Sequence, residues 1–456
     1  MPEKNQMPIK ENKMGVMPVK RLIISMSLPM MLSMMVQALY NIVDSMFVSY
    51  ISQDALTAVT LCFPVQNFMI AMAGGVGVGV NALLSRSLGE KRFERADEAA
   101  NTGIFLFFCC YLVFLVIGLF FAPWFIKTQT QDPQIVEYAT TYLQIICCAS
   151  ICLFFQLGFE RLLQSTGQTL YSMFSQVTGA VINMILDPIL IFGLLGFPKL
   201  GIAGAAIATI FGQGVATIIG ITFNLKKNKE IHLSFRRILH PSGFATKRIF
   251  AVGFPSMLMM SIGSVMNYMM NHILISFSST AVAVFGVYFR LQSFIFMPIF
   301  GLNGGITPVL AYNYGARKKD RIMESLKFAI MLSVTIMVIG LIIFELFPSQ
   351  ILSIFNASEE MLRIGIPAMR IIAIHFPVAG VCIVLGSTFQ AFSRSINSLI
   401  VSVMRQLVVL LPAAWLLAQT GEVNNVWWAF PIAEIMSALV TAILFRRLYK
   451  RVIQPL

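Results

Sequence analysis

Long apolar segments alternate with short polar connections along almost the whole chain. Each segment has about 20 residues or more, the length with which an α-helix crosses the roughly 30 Å hydrocarbon core of a bilayer, and not the alternating pattern of a barrel strand. We predict an all-α integral membrane protein with twelve transmembrane helices, called spans 1 to 12. They cover residues 21–49, 55–86, 96–122, 136–163, 169–194, 201–225, 247–277, 281–311, 322–347, 360–391, 396–418 and 424–449.

Composition agrees with this class of protein. The chain of 456 residues is 57% hydrophobic and only 12% charged, with a mean hydropathy of +0.79. Soluble proteins have about 25% charged residues. Most of the surface is therefore expected to face a lipid bilayer.

The net charge of +13 is concentrated in the connections that follow even-numbered spans. Because the odd-numbered connections are poor in Lys and Arg, the positive-inside rule places both termini in the cytoplasm. We expect a multi-pass protein of the bacterial cell membrane that binds no nucleic acid. Residues 1–20 lack an apolar core and a cleavage site, so no cleaved signal peptide is expected. The basic residues include Arg86, Lys91, Arg92, Arg95, Lys226, Lys227, Lys229, Arg317, Lys318, Lys319 and Arg321.

The two halves of the chain are related by an internal duplication. A shift of 226 residues places Pro29 on Pro255 and Gly75 on Gly301. Six spans form each half, so both halves enter the membrane from the same side, and an axis along the membrane normal relates them. The predicted parts are a cytoplasmic segment 1–20, an N-lobe 21–225 (spans 1 to 6), a cytoplasmic linker 226–246, a C-lobe 247–450 (spans 7 to 12) and a tail 451–456.

The acidic residues of the spans do not follow this symmetry. Asp44 in span 1 aligns with Met270, and Asp187 in span 5 aligns with Ala413. We therefore expect a coupling-ion site in the N-lobe alone, and a substrate site between the lobes.

Asp44 is the first candidate residue for this site. It lies deep in span 1, and Tyr40 and Gln37 precede it by four and seven residues, which places all three on one helical face. An ionisable group at membrane depth costs roughly 2.5 to 3.5 kcal/mol on insertion scales, so its presence suggests function. The alternative is a hydrogen bond between helices that only stabilises the bundle.

Span 5 supplies the second part of the candidate site. Asn183 and Asp187 are four residues apart on one face, and Pro188 removes a backbone donor and leaves a carbonyl group free near the acid. Span 6 begins with small residues that allow close helix packing and carries Thr209. The four side chains of Asp44, Asn183, Asp187 and Thr209 could meet. For Asn183 and Thr209, plain hydrogen bonding between helices is the alternative.

Other polar residues in the spans allow two interpretations each. Glu160 adjoins Arg161, so it forms either an ion pair at the surface or part of a cavity. Glu434 either pairs with Arg405 or Arg290 as a structural contact or attracts a cationic substrate.

Span 7 is rich in methionine and contains Met260 and Asn267. Flexible thioether and polar side chains suit a cavity that accepts many shapes, although methionines also serve as filler that faces lipid.

These motifs resemble the multidrug and toxic compound extrusion (MATE) family. The resemblance rests on Tyr-Asn-x-x-Asp in span 1, Asn-x-x-x-Asp-Pro in span 5, Gly-x-x-Gly-Ala-Ala-x-Ala-Thr in span 6 and the duplicated lobes. It is greatest for bacterial branches with an N-lobe cation site. It implies that protons or sodium ions couple at Asp44, Asn183, Asp187 and Thr209, that Tyr40 is their hydrogen-bond neighbour, and that span 1 bends at Pro29.

The resemblance implies a secondary active multidrug exporter that exchanges amphipathic, mostly cationic compounds for H⁺ or Na⁺ by alternating access. The two acids would exchange protons as a coupled pair. A lipid-linked oligosaccharide flippase of the same superfamily is the alternative. No nucleophile or metal-hydrolase motif favours an enzyme. We expect a monomer with no cofactor beyond the coupling ion; the substrate and the choice of ion stay open.

Overall fold

Twelve helical spans form the protein in the computed structural model, which describes residues 11–355 and 357–456. Ten are long apolar helices and two are bent pairs. This confirms the predicted spans, with ends that differ by a few residues. The helices are Val19–Ser49, Gln53–Gly89, Phe93–Lys127, Pro133–Cys148 with Ile151–Ser165, Thr169–Phe192, Ile202–Lys226, Gly243–Ile275, Ser279–Gly315, Lys319–Leu346, Glu359–Ala373 with Phe376–Ala391, Ser395–Ala418 and Val423–Ile453.

The continuous helices predicted for spans 4 and 10 are broken in the structure. Span 4 bends by 45° after Cys148 and span 10 by 49° after Ala373. In span 10, Pro377 stands in the first turn of the second helix, where its missing N–H is tolerated. Span 4 has no proline or glycine at its break, so packing within the lobe must set that bend.

Each lobe has its own hydrophobic core, and span 1 also packs on the C-lobe. In the N-lobe, Phe107, Phe114 and Phe154 belong to one buried cluster. In the C-lobe, a separate cluster surrounds Phe285 and Trp427. A third cluster joins the first turns of span 1 to spans 8 and 9 of the C-lobe, through Val19, Ile23, Leu302, Leu310 and Ile322.

Glycines allow spans 2 and 8 to cross closely between the lobes. A Cβ added to Gly89 would overlap the carbonyl oxygen of Tyr312, and one added to Gly315 would overlap the carbonyl oxygen of Arg86. The two contacts are reciprocal, because Gly315 and Tyr312 are the residues 226 positions after Gly89 and Arg86. The packing between the lobes therefore has the two-fold relation that the duplication predicts.

Residues 11–18 cross between the lobes on the side of the molecule that also carries the C-terminal residues, which we call the termini side. Asn12 Nδ2 donates to the Thr166 carbonyl at 3.0 Å and to Glu230 at 2.9 Å. On the C-lobe side, Asn313 and Arg321 donate to the Met14 carbonyl, each at 3.1 Å. We call this segment the N-terminal strap; it joins both lobes on the termini side.

The connection between the lobes is held against the N-lobe. It contains a short helix, Phe235–Leu239, and lies between Lys226 and Gly243. Asp97 in span 3 accepts a hydrogen bond from the His232 N–H at 2.7 Å and contacts Arg237 at 3.3 Å. Thr102 accepts one from the Ser242 N–H at 3.1 Å. Two segments thus cover the termini side of the molecule.

Candidate cation and substrate site

Close packing of spans 5 and 6 positions the polar residues of the N-lobe. A Cβ at Gly212 would lie 2.6 Å from the Gly179 carbonyl oxygen and 3.0 Å from Asn183 Cβ. Only glycine permits this approach. It brings the Asn183 face of span 5 against span 6 one helical turn from Thr209.

Asp187 and Asn183 are buried without hydrogen-bond partners among the described residues. Asp187 is 0% exposed, and neither carboxylate oxygen has a partner; Asn183 is 3% exposed, and neither its amide nitrogen nor its amide oxygen has one. Leaving such groups unpaired typically costs about 1–3 kcal/mol for each group. A proton or a cation that binds here would supply the missing interactions.

Asp44 approaches these residues from span 1. It is 9% exposed, and its Oδ1 has no partner among the described residues. It lies one turn after Tyr40, which contacts Thr209, and span 1 packs along span 5, which carries Asp187. The structure therefore brings Asp44 and Asp187 into one region, which we call the acidic chamber together with Asn183 and Thr209.

Hydrogen bonds connect span 1 to the other walls of the acidic chamber. Tyr40 Oη lies 3.5 Å from Thr209 Oγ1, which itself donates to the Ala205 carbonyl at 3.0 Å. Tyr40 is therefore the donor of the pair. One turn before Tyr40, Gln37 accepts a hydrogen bond from Gln176 at 3.5 Å. Both contacts are at the upper limit of hydrogen-bond length, so they hold span 1 only weakly against spans 5 and 6.

A cavity of about 710 Å³ lies between the lobes. Its N-lobe wall includes Gln37, Tyr40, Asn183 and Thr209. Asp44 and Asp187 are not part of the lining; they lie behind it. Tyr40, Asn183 and Thr209 therefore lie at the boundary between the cavity and the two acids. Ion binding at the acids can alter the cavity wall through these three side chains.

Glu160 has neither of the roles expected for it. It is 2% exposed, which excludes a surface ion pair, and it is not part of the cavity lining. Its carboxylate accepts a hydrogen bond from Gln156 Nε2 at 3.0 Å. Gln156 and Arg161 reach the cavity instead.

Glu434 forms the structural pair expected from its depth in span 12. Its Oε2 lies 3.6 Å from Arg405 Nη1, and the carboxylate is almost fully buried. Arg405 lines the cavity, whereas Glu434 does not. Arg290 has an exposed side chain and no ion pair in the described part of the chain.

Three further expectations have different outcomes. Met260 lines the cavity and packs beside Gly74. The prediction that Asn267 lines the cavity is wrong, because the last residue of span 7 in the lining is Gly263, one helical turn earlier. Span 1 runs through Pro29 as one helix, so bending there stays a prediction.

Sequence reasoning missed several amide residues of the cavity wall. Gln176 lies seven residues before Asn183, and Gln213 lies four residues after Thr209. Both spacings place the amide on the same face as a candidate residue, so helical periodicity could have found them. In residues 11–355 and 357–456, no group of three or more His, Cys, Asp or Glu could hold a metal ion.

Comparisons with known proteins agree with a duplicated transporter. The MatE family model matches residues 29–189 and again 255–416, one match in each lobe. A curated relative from Shewanella oneidensis, named FAD transporter, is 28% identical over 447 residues and covers 94% of this chain and 95% of its own length. The probable multidrug resistance protein YoeA of Bacillus subtilis is 26% identical and covers 96% of both chains.

A solved structure described as the outward-facing conformation of a multidrug resistance MATE family transporter superposes on nearly the whole molecule. The TM-score is 0.91 at 26% sequence identity, with 99% of this chain and 100% of the other chain covered. The similarity therefore extends to both lobes and to the arrangement between them.

Proposed function

We propose a function from one premise: the chain belongs to the MatE family of membrane transporters. It is a transporter and not an enzyme, and its relatives support a multidrug exporter over a flippase. Its substrates are small organic compounds that cross a lipid bilayer. The FAD transporter among its relatives carries a phosphorylated cofactor, so cargo in these relatives is not limited to cations.

We infer that transport is coupled to H⁺ or Na⁺ through the acidic chamber. One observation carries this proposal: Asn183 in the cavity wall and Asp187 behind it are buried without hydrogen-bond partners among the described residues. A bound proton or sodium ion would neutralise or coordinate the carboxylate oxygens, since buried polar groups require partners. Tyr40 and Thr209 lie between this chamber and the cavity and transmit the change.

We propose alternating access as the mechanism. The N-terminal strap and the crossing of spans 2 and 8 hold the lobes together on the termini side. The basic connections support a cytoplasmic position for that side. The cavity would then be reached from outside the cell, as the similarity to an outward-facing structure also supports. Inward opening would separate both sets of contacts.

Purified protein in liposomes tests the coupling. Uptake of ethidium or a fluoroquinolone is measured with an imposed proton gradient and, separately, with a sodium gradient. We expect one gradient to drive accumulation of the compound and an ionophore that dissipates it to stop accumulation. Transport that proceeds equally well without either gradient would contradict ion coupling.

A further inference from the structure

The charged side chains on the cavity wall are arginines. Among the described residues that line the cavity, Arg161 of the N-lobe and Arg405 of the C-lobe carry charge. The buried acids of the spans are all absent from the lining; they are Asp44, Asp97, Glu160, Asp187 and Glu434. A substrate that enters therefore contacts guanidinium groups before any carboxylate.

The guanidinium group of Arg405 has unused donors. It lies in a π-helical segment of span 11, Met404–Leu410, a local geometry that is frequent at functional sites. Its side chain is 27% exposed, and its one ionic contact, to Glu434, is 3.6 Å long. An arginine carries five N–H donors, and none of those of Arg405 makes a hydrogen bond within the described residues.

Arg161 is held in place but also has free donors. Its alkyl chain packs on Gly77, where a Cβ would lie 2.9 Å from Arg161 Cγ. Nη1 donates to Gln164 Oε1 at 2.9 Å, and this is the one hydrogen bond of its guanidinium group within the described residues. The remaining donors are available to a ligand. The two arginines thus present donors from opposite lobes to the same space.

The rest of the wall suits the body of an amphipathic molecule. Amide side chains of both lobes alternate with apolar ones, among them Gln156, Gln176, Gln406, Met30, Met259 and Phe300. Pockets of this kind hold an apolar body and orient it through a few polar groups. Guanidinium groups recognise carboxylate and phosphate through paired hydrogen bonds.

We propose that the cavity binds substrates through an anionic group, carboxylate or phosphate, that is held by Arg405 or Arg161. This inference rests on the proposed transport function and names its substrate class. It also corrects the expected preference for cations, because a cationic group on the wall would lie next to guanidinium while the acids remain behind it. Glu434 then serves to orient Arg405 rather than to attract the substrate.

Norfloxacin and its ethyl ester provide a matched pair of probes. They share one scaffold, but the acid carries a carboxylate at neutral pH and the ester does not. Binding is measured by equilibrium dialysis against purified protein in detergent, with protein-free micelles as the blank. Because charged hydrogen bonds contribute strongly, we expect the acid to bind about tenfold more tightly than the ester.

Substitution of the arginines tests whether their guanidinium groups cause the preference for the acid over the ester. Arg161→Gln and the paired variant Arg405→Gln with Glu434→Gln each remove one guanidinium, and the paired variant leaves no unpaired acid behind. We expect the ratio of the two dissociation constants to fall to about twofold or less when both guanidinium groups are removed. Arg290→Gln, which lies outside the lining, should keep the full ratio. If the paired variant does not fold, Arg161→Gln combined with Arg405→Lys provides the reading, because lysine keeps a positive charge beside Glu434 but cannot form the paired hydrogen bonds of a guanidinium group.

Equal binding of acid and ester by the unchanged protein, or tighter binding of the ester, would overturn the proposal while leaving the transport function intact. A preference for the acid that survives loss of both guanidinium groups would overturn it as well. Failure of the protein to bind or transport either compound or ethidium would instead reject the proposed function.

Discussion

In the N-lobe, Asp44 and Asp187 point into a buried chamber where their oxygens lack partners among the described residues. At the positions 226 residues later, the C-lobe has Met270, which is fully buried, and Ala413. The contrast lies in chemistry and not in architecture, since the spans that carry these residues correspond. The acids are absent at these two positions of the C-lobe, whose buried acid, Glu434, lies 3.6 Å from Arg405 instead.

The C-lobe fills its centre with aromatic side chains instead. Phe285 stacks on Trp427 and Tyr288, and His375 contacts Phe296 and Phe430. Such a centre gains stability from its own packing, although Tyr288 Oη, Trp427 Nε1 and Glu434 Oε1 are buried in this lobe without hydrogen-bond partners among the described residues. The difference suggests that one lobe responds to the ion while the other provides a stable partner against which it moves. The following predictions test this division of roles.

The largest effect is expected from the acids of the N-lobe. Asp44→Asn and Asp187→Asn should each abolish gradient-driven exchange without lowering expression, because an amide cannot take up a proton or neutralise a sodium ion. The exchange rate in liposomes measures this.

The C-lobe position provides the matched control for that experiment. Met270→Leu, a swap of similar volume, should keep the exchange rate within about twofold. Asp54→Asn, which removes an exposed acid of the N-lobe, should do the same. Normal exchange in Asp44→Asn or Asp187→Asn would contradict the claim that the acids of the N-lobe bind the coupling ion.

Where the lobes are alike, equivalent substitutions should have equal effects. Gly89→Ala and Gly315→Ala each force a methyl group onto a carbonyl oxygen of the opposite lobe. Overpacking of this kind costs about 1–3 kcal/mol, so both variants should lower the unfolding temperature in detergent to a similar degree. Gly286→Ala meets no atom within 4 Å and is the control. A loss confined to one of the two variants would show that the interface is not symmetric.

Substitution of Asn183 should have opposite effects on folding stability and on ion-coupled transport. Its buried amide group lacks partners, so Asn183→Leu should stabilise the folded protein by about 1 kcal/mol while it weakens ion coupling. Thermal unfolding and exchange are measured on the same preparation. A purely structural role predicts the opposite, a fall in stability together with unchanged exchange.

The smallest effect is expected at the N-terminal strap. Arg321 donates to the carbonyls of Met14 and Met17, whereas Arg95, its counterpart 226 residues earlier, lies over the ring of Phe244. Arg321→Ala should increase labelling of a cysteine introduced at Met14, which is 0% exposed, more than Arg95→Ala does. Equal labelling in the two variants would count against a strap that depends on Arg321.

The strap should also respond to acid. The hydrogen bond from Lys318 lowers the pKa of Glu11, so this contact is fully present above the ordinary pKa of glutamate and is lost as the pH falls through the lowered value. Labelling at the strap should therefore rise in acid in the unchanged protein. The Glu11→Gln variant should lack this pH response.

Much of the fold was predictable because segments that cross a membrane must be long and apolar, and this pattern is visible in the sequence. The lengths of the apolar segments define the spans, and the repeated glycines define the duplication. The bend in span 4 was not predictable, since the residues around Ala149 and Ser150 carry no proline or glycine. It depends on packing with distant parts of the lobe.

The site was predictable where helical periodicity alone decides orientation. Asp44 follows Gln37 and Tyr40 on one face, and the structure keeps that face together. Glu160 and Arg161 show the limit. Neighbouring residues point about 100° apart on a helix, so Arg161 faces the cavity while Glu160 is buried. The length of the cavity along each helix could not be predicted either, and Asn267 lies beyond its end.

Release of the coupling ion on substrate binding tests the central claim most directly. Norfloxacin is added to purified protein in weakly buffered detergent, with a pH-indicator dye for protons and radioactive sodium for Na⁺. The unchanged protein and the C-lobe variant Met270→Leu should release the ion at saturating norfloxacin, and Asp44→Asn with Asp187→Asn should release none. Undiminished release after loss of both N-lobe acids would contradict the account.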